Sequence, residues 1–281
     1  MIVARCRAEL AEGLASLGAA GRRVGLVPTM GFLHEGHLSL VDLAKEHASA
    51  AAVSIFVNPT QFGPTEDLAS YPRDADRDLA LLEKRGADLV FMPPVSEVYV
   101  DGDPRITVDP GPLGGRLCGA KRPGHFRGVL TVVAKLFGLF QPDVAVFGRK
   151  DFQQIALIER MVRELDFRVR IVGGPIMREQ DGLAMSSRNT YLSAQERKAA
   201  PAIQEGLAAA AARFDFGERR AWALIEEVQR EMKEQSLLRL EYAEVVDRKT
   251  LEPVESVPTG AVLAVAAFCG KTRLIDNVTL E

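Results

Sequence analysis

The chain has 281 residues, 47% hydrophobic and 26% charged, with 35 Lys and Arg against 38 Asp and Glu for a formal charge of −3. That length has room for about two domains and a sizeable core. The near balance of charge excludes a broad polyanion-binding surface, so no nucleic-acid partner is expected and any phosphate affinity must be local.

Cys6, Cys118 and Cys269 are far apart and fit no disulfide framework or metal spacing, as expected of a reducing compartment. No apolar run reaches membrane-spanning length. Arginines and Glu9 interrupt the opening residues before a signal pattern can form. A cytoplasmic location without membrane contact is therefore expected.

In chain order, residues 9–17 read as a short amphipathic helix and 23–27 as a short buried strand. Leu38, Leu40, Val41, Leu43 and Ala44 recur at helical spacing, so a helix begins near Glu35 or Gly36. Residues 51–57 are apolar on both faces, as a strand of a parallel sheet must be. They run into a loop at 58–64 that two prolines and a glycine keep from continuing as strand. A helix over 74–85 turns Ala75, Leu79 and Leu82 inward and stops at Gly86; residues 89–91 form a third strand. Residues 93–125 are rich in Gly and Pro without a clear period, and so long a connection is usually functional or carries a small insertion. A buried helix through Leu130, Val133, Ala134, Phe137 and Leu139 follows. Then come a strand at 144–147, a helix at 152–165 and a strand at 168–172.

Five alternations of strand and helix predict an α/β fold, a Rossmann-like doubly wound parallel sheet over residues 1–175. Ligands of such sheets bind outside the carboxyl ends of the strands, where the loops after Val27, Val57 and Phe147 arrive. Beyond Gly173-Gly174-Pro175 the rhythm changes. Helices at 194–214 and 218–235 precede short strands at 242–246, 261–268 and 273–278, with Pro201 starting or kinking a helix. This predicts a smaller α+β domain with an antiparallel sheet over 176–281, covering the active site.

The polar residues of these loops suggest a chemistry. Between strand and helix, Met30-Gly31-Phe32-Leu33-His34-Glu35-Gly36-His37 holds two glycines and two histidines three apart on the first helical turn. First-turn N–H groups and the positive end of the helix dipole suit phosphate. A His-x-x-His pair alone is as well explained by structure. A zinc site would need further ligands that only His47, His125 and scattered cysteines could supply, so no metal ligand is assigned. After the fourth strand, Gly148-Arg149-Lys150-Asp151 offers Lys150 as a point charge and Asp151 either to a ribose hydroxyl or as a helix N-cap. Gln154 is better phased than Gln153 to face the strand edge. Asp181 to Asn189 carries Ser186, Ser187 and Arg188, donors for phosphate oxygens or simply a polar loop with a helix cap, and Gly182 makes a mobile hinge plausible. Asn58 and Gln61 are neutral groups suited to hydroxyls and carboxylates, although turn chemistry before Pro59 explains part of Asn58. His125 beside Pro123-Gly124 reads as structural.

His34-Glu35-Gly36-His37 at a strand-to-helix junction resembles the signature of the nucleotidylyl-transferase superfamily, which includes class I aminoacyl-tRNA synthetases. With Val27 to His37, Phe56-Val57-Asn58-Pro59-Thr60-Gln61-Phe62, Arg122 to Val133, Phe147 to Gln154 and Asp181 to Asn189 in order, the chain resembles the pantoate–β-alanine ligase family nearly end to end. The resemblance implies condensation of pantoate with β-alanine at the expense of ATP, through a pantoyl-adenylate, with Mg²⁺ arriving with ATP and a homodimer as the assembly. It implies that Met30 to His37, Gly148 to Asp151, Met177 and Met185 to Arg188 line the ATP site. His34, His37 and Lys150 are the catalytic assignments, with His37 the usual one. Gln61 and Gln154 hold pantoate, with Asn58 beside them. Two departures from the family pattern show, Arg149 where an acidic or amide residue is usual and Met177 where valine is frequent; both are compatible with ATP binding through backbone. A rival transferase acting on a phosphorylated acceptor would want more basic residues near Gln61. A non-catalytic nucleotide sensor would bind ATP without turnover.

Overall fold

The computed structural model describes residues 1–281 and contains two compact units. The first comprises Met1–Gly114, Arg122–Arg149 and Leu157–Pro175; the second comprises Gly115–Lys121, Lys150–Ala156 and Ile176–Glu281. The single boundary expected near residue 175 is thus crossed by two short segments assigned to the second unit.

The first unit is built on β1 (Ile2–Ala4), β2 (Val24–Thr29), β3 (Ala50–Ile55), β4 (Leu89–Phe91), β5 (Val144–Gly148) and β6 (Arg170–Gly174). They form one sheet in the order β1-β4-β3-β2-β5-β6, parallel throughout. α1 (Arg7–Ala19), α2 (Glu35–His47), α3 (Ala75–Arg85), α4 (Val95–Val98), α6 (His125–Phe140) and most of α7 (Phe152–Glu164) belong to this unit, while α5 (Leu117–Lys121) belongs to the second. Ala51, Val53, Val27, Val90 and Val146 on the strands pack with Leu38, Val41, Ala44 and Leu82 of α2 and α3. Central parallel strands are covered on both faces, so their sequences are apolar without alternation. The strand order reverses between β2 and β5, and the crevice at such a switch point is where this architecture binds ligands.

The second unit has α8 (Ala194–Ala199), α9 (Ala202–Asp215) and α10 (Ala221–Lys233), then β7 (Leu238–Val246), β8 (Val262–Cys269) and β9 (Thr272–Thr279), an antiparallel sheet in that order. Ile203, Leu207 and Phe214 of α9 meet Leu224 and Val228 of α10 and Leu263 and Val265 of β8 in its core. A Cβ on Gly206 would lie 2.9 Å from Val228 Cα, so glycine is what lets the two helices come this close.

Four expectations change. A sixth strand, β1, joins the sheet edge beside β4. The predicted helix at 194–214 is two helices, because Pro201 has no N–H to continue the ladder of α8 and instead stands at the N-cap of α9. The irregular stretch holds α4, α5 and a 3₁₀ turn at Gly111–Gly115. On α3, Ala75 is exposed and Asp78 is the residue turned inward. No helix is long and apolar enough to cross a membrane.

Candidate active site

β2 ends at Thr29, whose hydroxyl donates to Ser54 O (2.8 Å) and accepts from Gly31 N (3.2 Å). The chain then turns sharply, with Gly31 at φ +82° and Phe32 at +50°. A Cβ on Gly31 would lie 2.8 Å from Ile55 Cγ2 and 3.1 Å from Asp78 Oδ2, so the site takes no other residue without displacement. Asp78, 1% exposed, accepts from Phe32 N (2.7 Å) and Leu33 N (2.8 Å). Burial pushes its carboxyl above the ordinary value, against the pull of those N–H groups and of Arg77. The sequence reading missed Asp78, although a lone aspartate at an inward helical phase beside Leu79 and Leu82 is the signal that marks it.

That turn delivers His34 to the N-cap of α2 and His37 to its first turn. The imidazole centroids are 4.0 Å apart, and His34 N donates to His37 Nδ1 at 3.4 Å, which places the proton of a neutral His37 on Nε2. Leu33 anchors the turn in the core at 1% exposure, so its side chain offers no ligand contact. Glu35 is exposed and paired with Arg85. Met30 to His37 thus form one tight turn, with the imidazoles of His34 and His37 side by side at its end.

The loop after β3 is held differently. Asn58 caps a 3₁₀ turn, Pro59–Gln61. It is 1% exposed and fully engaged: Nδ2 donates to Gln61 Oε1 (3.0 Å) and Gly128 O (3.2 Å), and Oδ1 accepts from Tyr99 OH (2.8 Å) and from Thr60 Oγ1 and N. Asn58, expected beside Gln61 as a ligand-binding amide, instead stands behind it, because both of its amide hydrogens are already used. Gln61 Nε2 reaches Met30 Sδ at 3.1 Å, which brings the loops after β2 and β3 side by side. The Gln61 carbonyl accepts from His125 Nδ1 (2.8 Å), so His125 has the structural role expected of it. Arg122 donates to Glu66 at 2.7 and 2.6 Å and faces His125 Nε2 at 3.0 Å. Burial works to raise the Glu66 carboxyl, and the Arg122 guanidinium outweighs it, holding Glu66 below its ordinary value. A Cβ on Gly128 would lie 2.3 Å from Thr60 O, so α6 and this turn touch backbone to backbone.

Gly148 closes β5, and Arg149 N donates to Gly174 O (2.9 Å). That N–H is spent on the sheet and is not offered to a ligand, so the expectation that Arg149 serves through backbone does not hold for its donor.

In the second unit, burial pushes the Lys150 ammonium below its ordinary value; Asp151 and Asp276 pull it back, and Arg188 adds to the depression. Its carbonyl accepts from Asn277 Nδ2 (2.9 Å), and Asp276 is gripped by Arg178 at 2.6 and 3.1 Å. Asp151 directly precedes α7, and its carbonyl accepts from Ile155 N (3.1 Å), as an N-cap's does. Gln153 is buried and tied to Arg116 O (2.8 Å) and Gly119 N (3.3 Å), whereas Gln154 is half-buried, in keeping with the choice of Gln154 by helical phase.

Met177 to Met185 form a tight hairpin: Met185 N donates to Met177 O (2.9 Å), Glu179 N to Leu183 O (2.8 Å), and Gly182 turns at φ +89°. Ser186 then caps the turn Ser187–Tyr191 by accepting from Arg188 N (3.3 Å), so the bland reading of a cap is realised for that serine. Ser187 is buried; Met185 lines a cavity of about 520 Å³ together with Arg178, Asp181 and Arg197. No group of three or more His, Cys, Asp or Glu side chains is arranged to hold a metal ion.

These arrangements have relatives. A family model described as pantoate-beta-alanine ligase matches residues 2–279. Pantothenate synthetase 1 of Bradyrhizobium diazoefficiens is 53% identical over 275 residues, 98% of this chain and 96% of the relative. Pantothenate synthetase of Thermoanaerobacter sp. is 53% identical over 259 residues, covering 92% and 91%. Among solved structures, pantothenate synthetase from Thermus thermophilus superposes with a TM-score of 0.93 at 44% identity, over 100% of this chain and 99% of that one. The pantoate-beta-alanine ligase from Francisella tularensis, solved with beta-gamma ATP and beta-alanine, gives 0.82 at 32% identity, over 100% and 98%. The chain belongs to the pantoate-beta-alanine ligase family.

Proposed function

We propose that this chain condenses pantoate with β-alanine at the expense of ATP, through a pantoyl-adenylate, releasing AMP and pyrophosphate. The observation that carries the reading is the turn at residues 30–37. A buried carboxylate fixes its backbone, and two imidazoles stand at the N-cap and in the first turn of a helix at the sheet's switch point. The Francisella relative solved with ATP and β-alanine supports the substrates.

In the first step a pantoate carboxylate oxygen attacks the α-phosphorus and pyrophosphate leaves. Negative charge spreads over phosphoryl oxygens, so positioned donors supply most of the catalysis. His34, His37 and the α2 N-terminus serve phosphate in this reading. Lys150, Ser186, Ser187 and Arg188 are further phosphate donors, and Gln61 and Gln154 hold pantoate. Asp78 is already committed to two N–H groups, and no carboxylate cluster surrounds the turn, so Mg²⁺ enters bound to ATP. In the second step the neutral amine of β-alanine attacks the acyl-adenylate and AMP leaves, for which proximity suffices. A homodimer in the cytoplasm completes the proposal.

Pantoate-dependent exchange of labelled pyrophosphate into ATP, without β-alanine, tests it. Exchange followed by pantothenate on addition of β-alanine is expected. ATP binding without exchange would mark a sensor, and exchange driven by a phosphorylated acceptor would mark another transferase.

A further inference from the structure

The Gln61 side chain is an amide, with a donor end and an acceptor end, and the surrounding network decides which end is shown. Asn58 Nδ2 donates to Gln61 Oε1, so the acceptor end is turned inward. The donor, Nε2, is the end that reaches Met30 Sδ on the neighbouring loop. Asn58 can do this only while its own amide keeps its orientation. Reversed, it would set Oδ1 against Gln61 Oε1 and Gly128 O, and Nδ2 against Thr60 N, each a repulsive contact in a buried place. The shortest bond holding Asn58 is the one from Tyr99 OH to Oδ1, at 2.8 Å.

Tyr99 is suited to that task. It is 4% exposed, its ring lies 6.1 Å from that of Phe56, and its hydroxyl also sits 3.3 Å from Thr60 Oγ1. Burial raises its hydroxyl above the ordinary value, so it stays protonated as a donor. We propose that Tyr99 is a positioning residue for pantoate recognition: acting through Asn58, it fixes the polarity of the Gln61 amide so that a donor meets the substrate's acceptor oxygens. The proposal rests on the reading of Gln61 as a pantoate ligand. It explains why a buried tyrosine, 41 residues beyond Asn58 in sequence, is wired to the amide behind Gln61. A fixed N–H suits a carboxylate or hydroxyl oxygen, whereas a freely turning amide would present its own oxygen part of the time and repel the acid.

Two variants separate this proposal from the reading beneath it. Gln61→Glu keeps the shape but removes the donor end. Tyr99→Phe keeps the ring and removes one hydroxyl, whose partners are Asn58 Oδ1 and Thr60 Oγ1. Steady-state kinetics with pantoate and ATP varied in turn, alongside thermal melting, give the readout. Gln61→Glu is expected to raise the pantoate KM by more than about tenfold. Tyr99→Phe is expected to raise it roughly three- to tenfold, the range of one neutral hydrogen bond, with the ATP KM unchanged. Thr60→Val removes the other hydroxyl on Asn58 Oδ1 and is expected to shift the pantoate KM in the same direction, which serves if Tyr99→Phe does not fold. If Gln61→Glu raises the pantoate KM while Tyr99→Phe leaves it alone, or moves both substrates equally, the relay is overturned and the Gln61 reading stands. A pantoate KM indifferent to Gln61→Glu overturns both.

Discussion

The loops that leave β2 and β3 are neighbours on one sheet edge, yet they hold their polar residues by opposite means. Residues 30–37 are fixed mainly through backbone N–H groups: Asp78 accepts from Phe32 N and Leu33 N, Thr29 Oγ1 from Gly31 N, and His37 Nδ1 from His34 N. Residues 58–61 are fixed by neutral side chains acting on one another, Tyr99 on Asn58 and Asn58 on Gln61. The first device positions a run of peptide groups. The second positions a side chain and consumes its neighbours. The contrast suits the roles proposed for the two loops, since phosphate is met well by backbone at a helix start and an acid with hydroxyls by an oriented amide.

The strongest test of the contrast is His37→Ala. Turnover should fall by about two orders of magnitude, on the order of the ~3 kcal/mol lost with a transition-state donor. Melting temperature should move little, because Asp78 keeps Phe32 N and Leu33 N when the His37 Nδ1 acceptor of His34 N is gone. Pyrophosphate exchange at near-normal rate would take catalysis away from this loop.

Gln61→Ala should cost about 1–3 kcal/mol of pantoate interaction while ATP binds nearly as before. Calorimetry with each ligand decides it; an equal loss for both would make the second loop a scaffold and not a recognition element.

Asp78→Asn sharpens the comparison from the side of stability. One of the two N–H groups would face an amide donor, at a cost of about 1–2 kcal/mol measurable by urea unfolding. The pH dependence has a definite sign. Because burial holds the native carboxyl above 3.8, the native state binds more protons than the unfolded state just above that pH. This group's contribution to stability is therefore complete below 3.8 and is lost as pH rises through the native pKa. The asparagine variant should lack that component.

The smallest effect concerns Lys150, whose ammonium is held below its ordinary value by desolvation. If it meets phosphate, ATP raises its pKa. In the interval between the free and bound values, binding should then take up a fraction of a proton and weaken as pH rises. Calorimetry in two buffers of different ionisation enthalpy measures the uptake, and Lys150→Ala should abolish it.

The central strands could be read from the chain because burial on both faces leaves runs such as Ala51-Ala52-Val53 without alternation. β1 escaped because three residues carry no period, and only β4 beside it makes them a strand. Asp78 escaped for a related reason. A helix face read from apolar residues puts Ala75 inward and says nothing of Asp78, whereas the two N–H groups of a strained turn are what draw Asp78 in. The histidines, Lys150 and Gln61 stood out because their loops follow apolar strands. Asn58 stood out equally, but its task depends on Tyr99 and Gly128, 41 and 70 residues further on, which no local pattern reveals.

Those separations bear on how the chain acquires its shape. Apart from Met30, the partners that hold the Gln61 turn from outside lie later in sequence: Tyr99, then Arg122 and His125, then Gly128. As the chain leaves the ribosome, β3 and its loop emerge long before α6, so the turn has no means of settling until that helix arrives. Contacts of such separation form late, after the entropy of closing the intervening loop has been overcome. Substitutions of Asn58 or Gly128 should accordingly leave the refolding rate almost unchanged and speed unfolding, while core substitutions on α2 slow refolding. The Gln61 turn is thus completed only once α6, more than sixty residues further on, is in place.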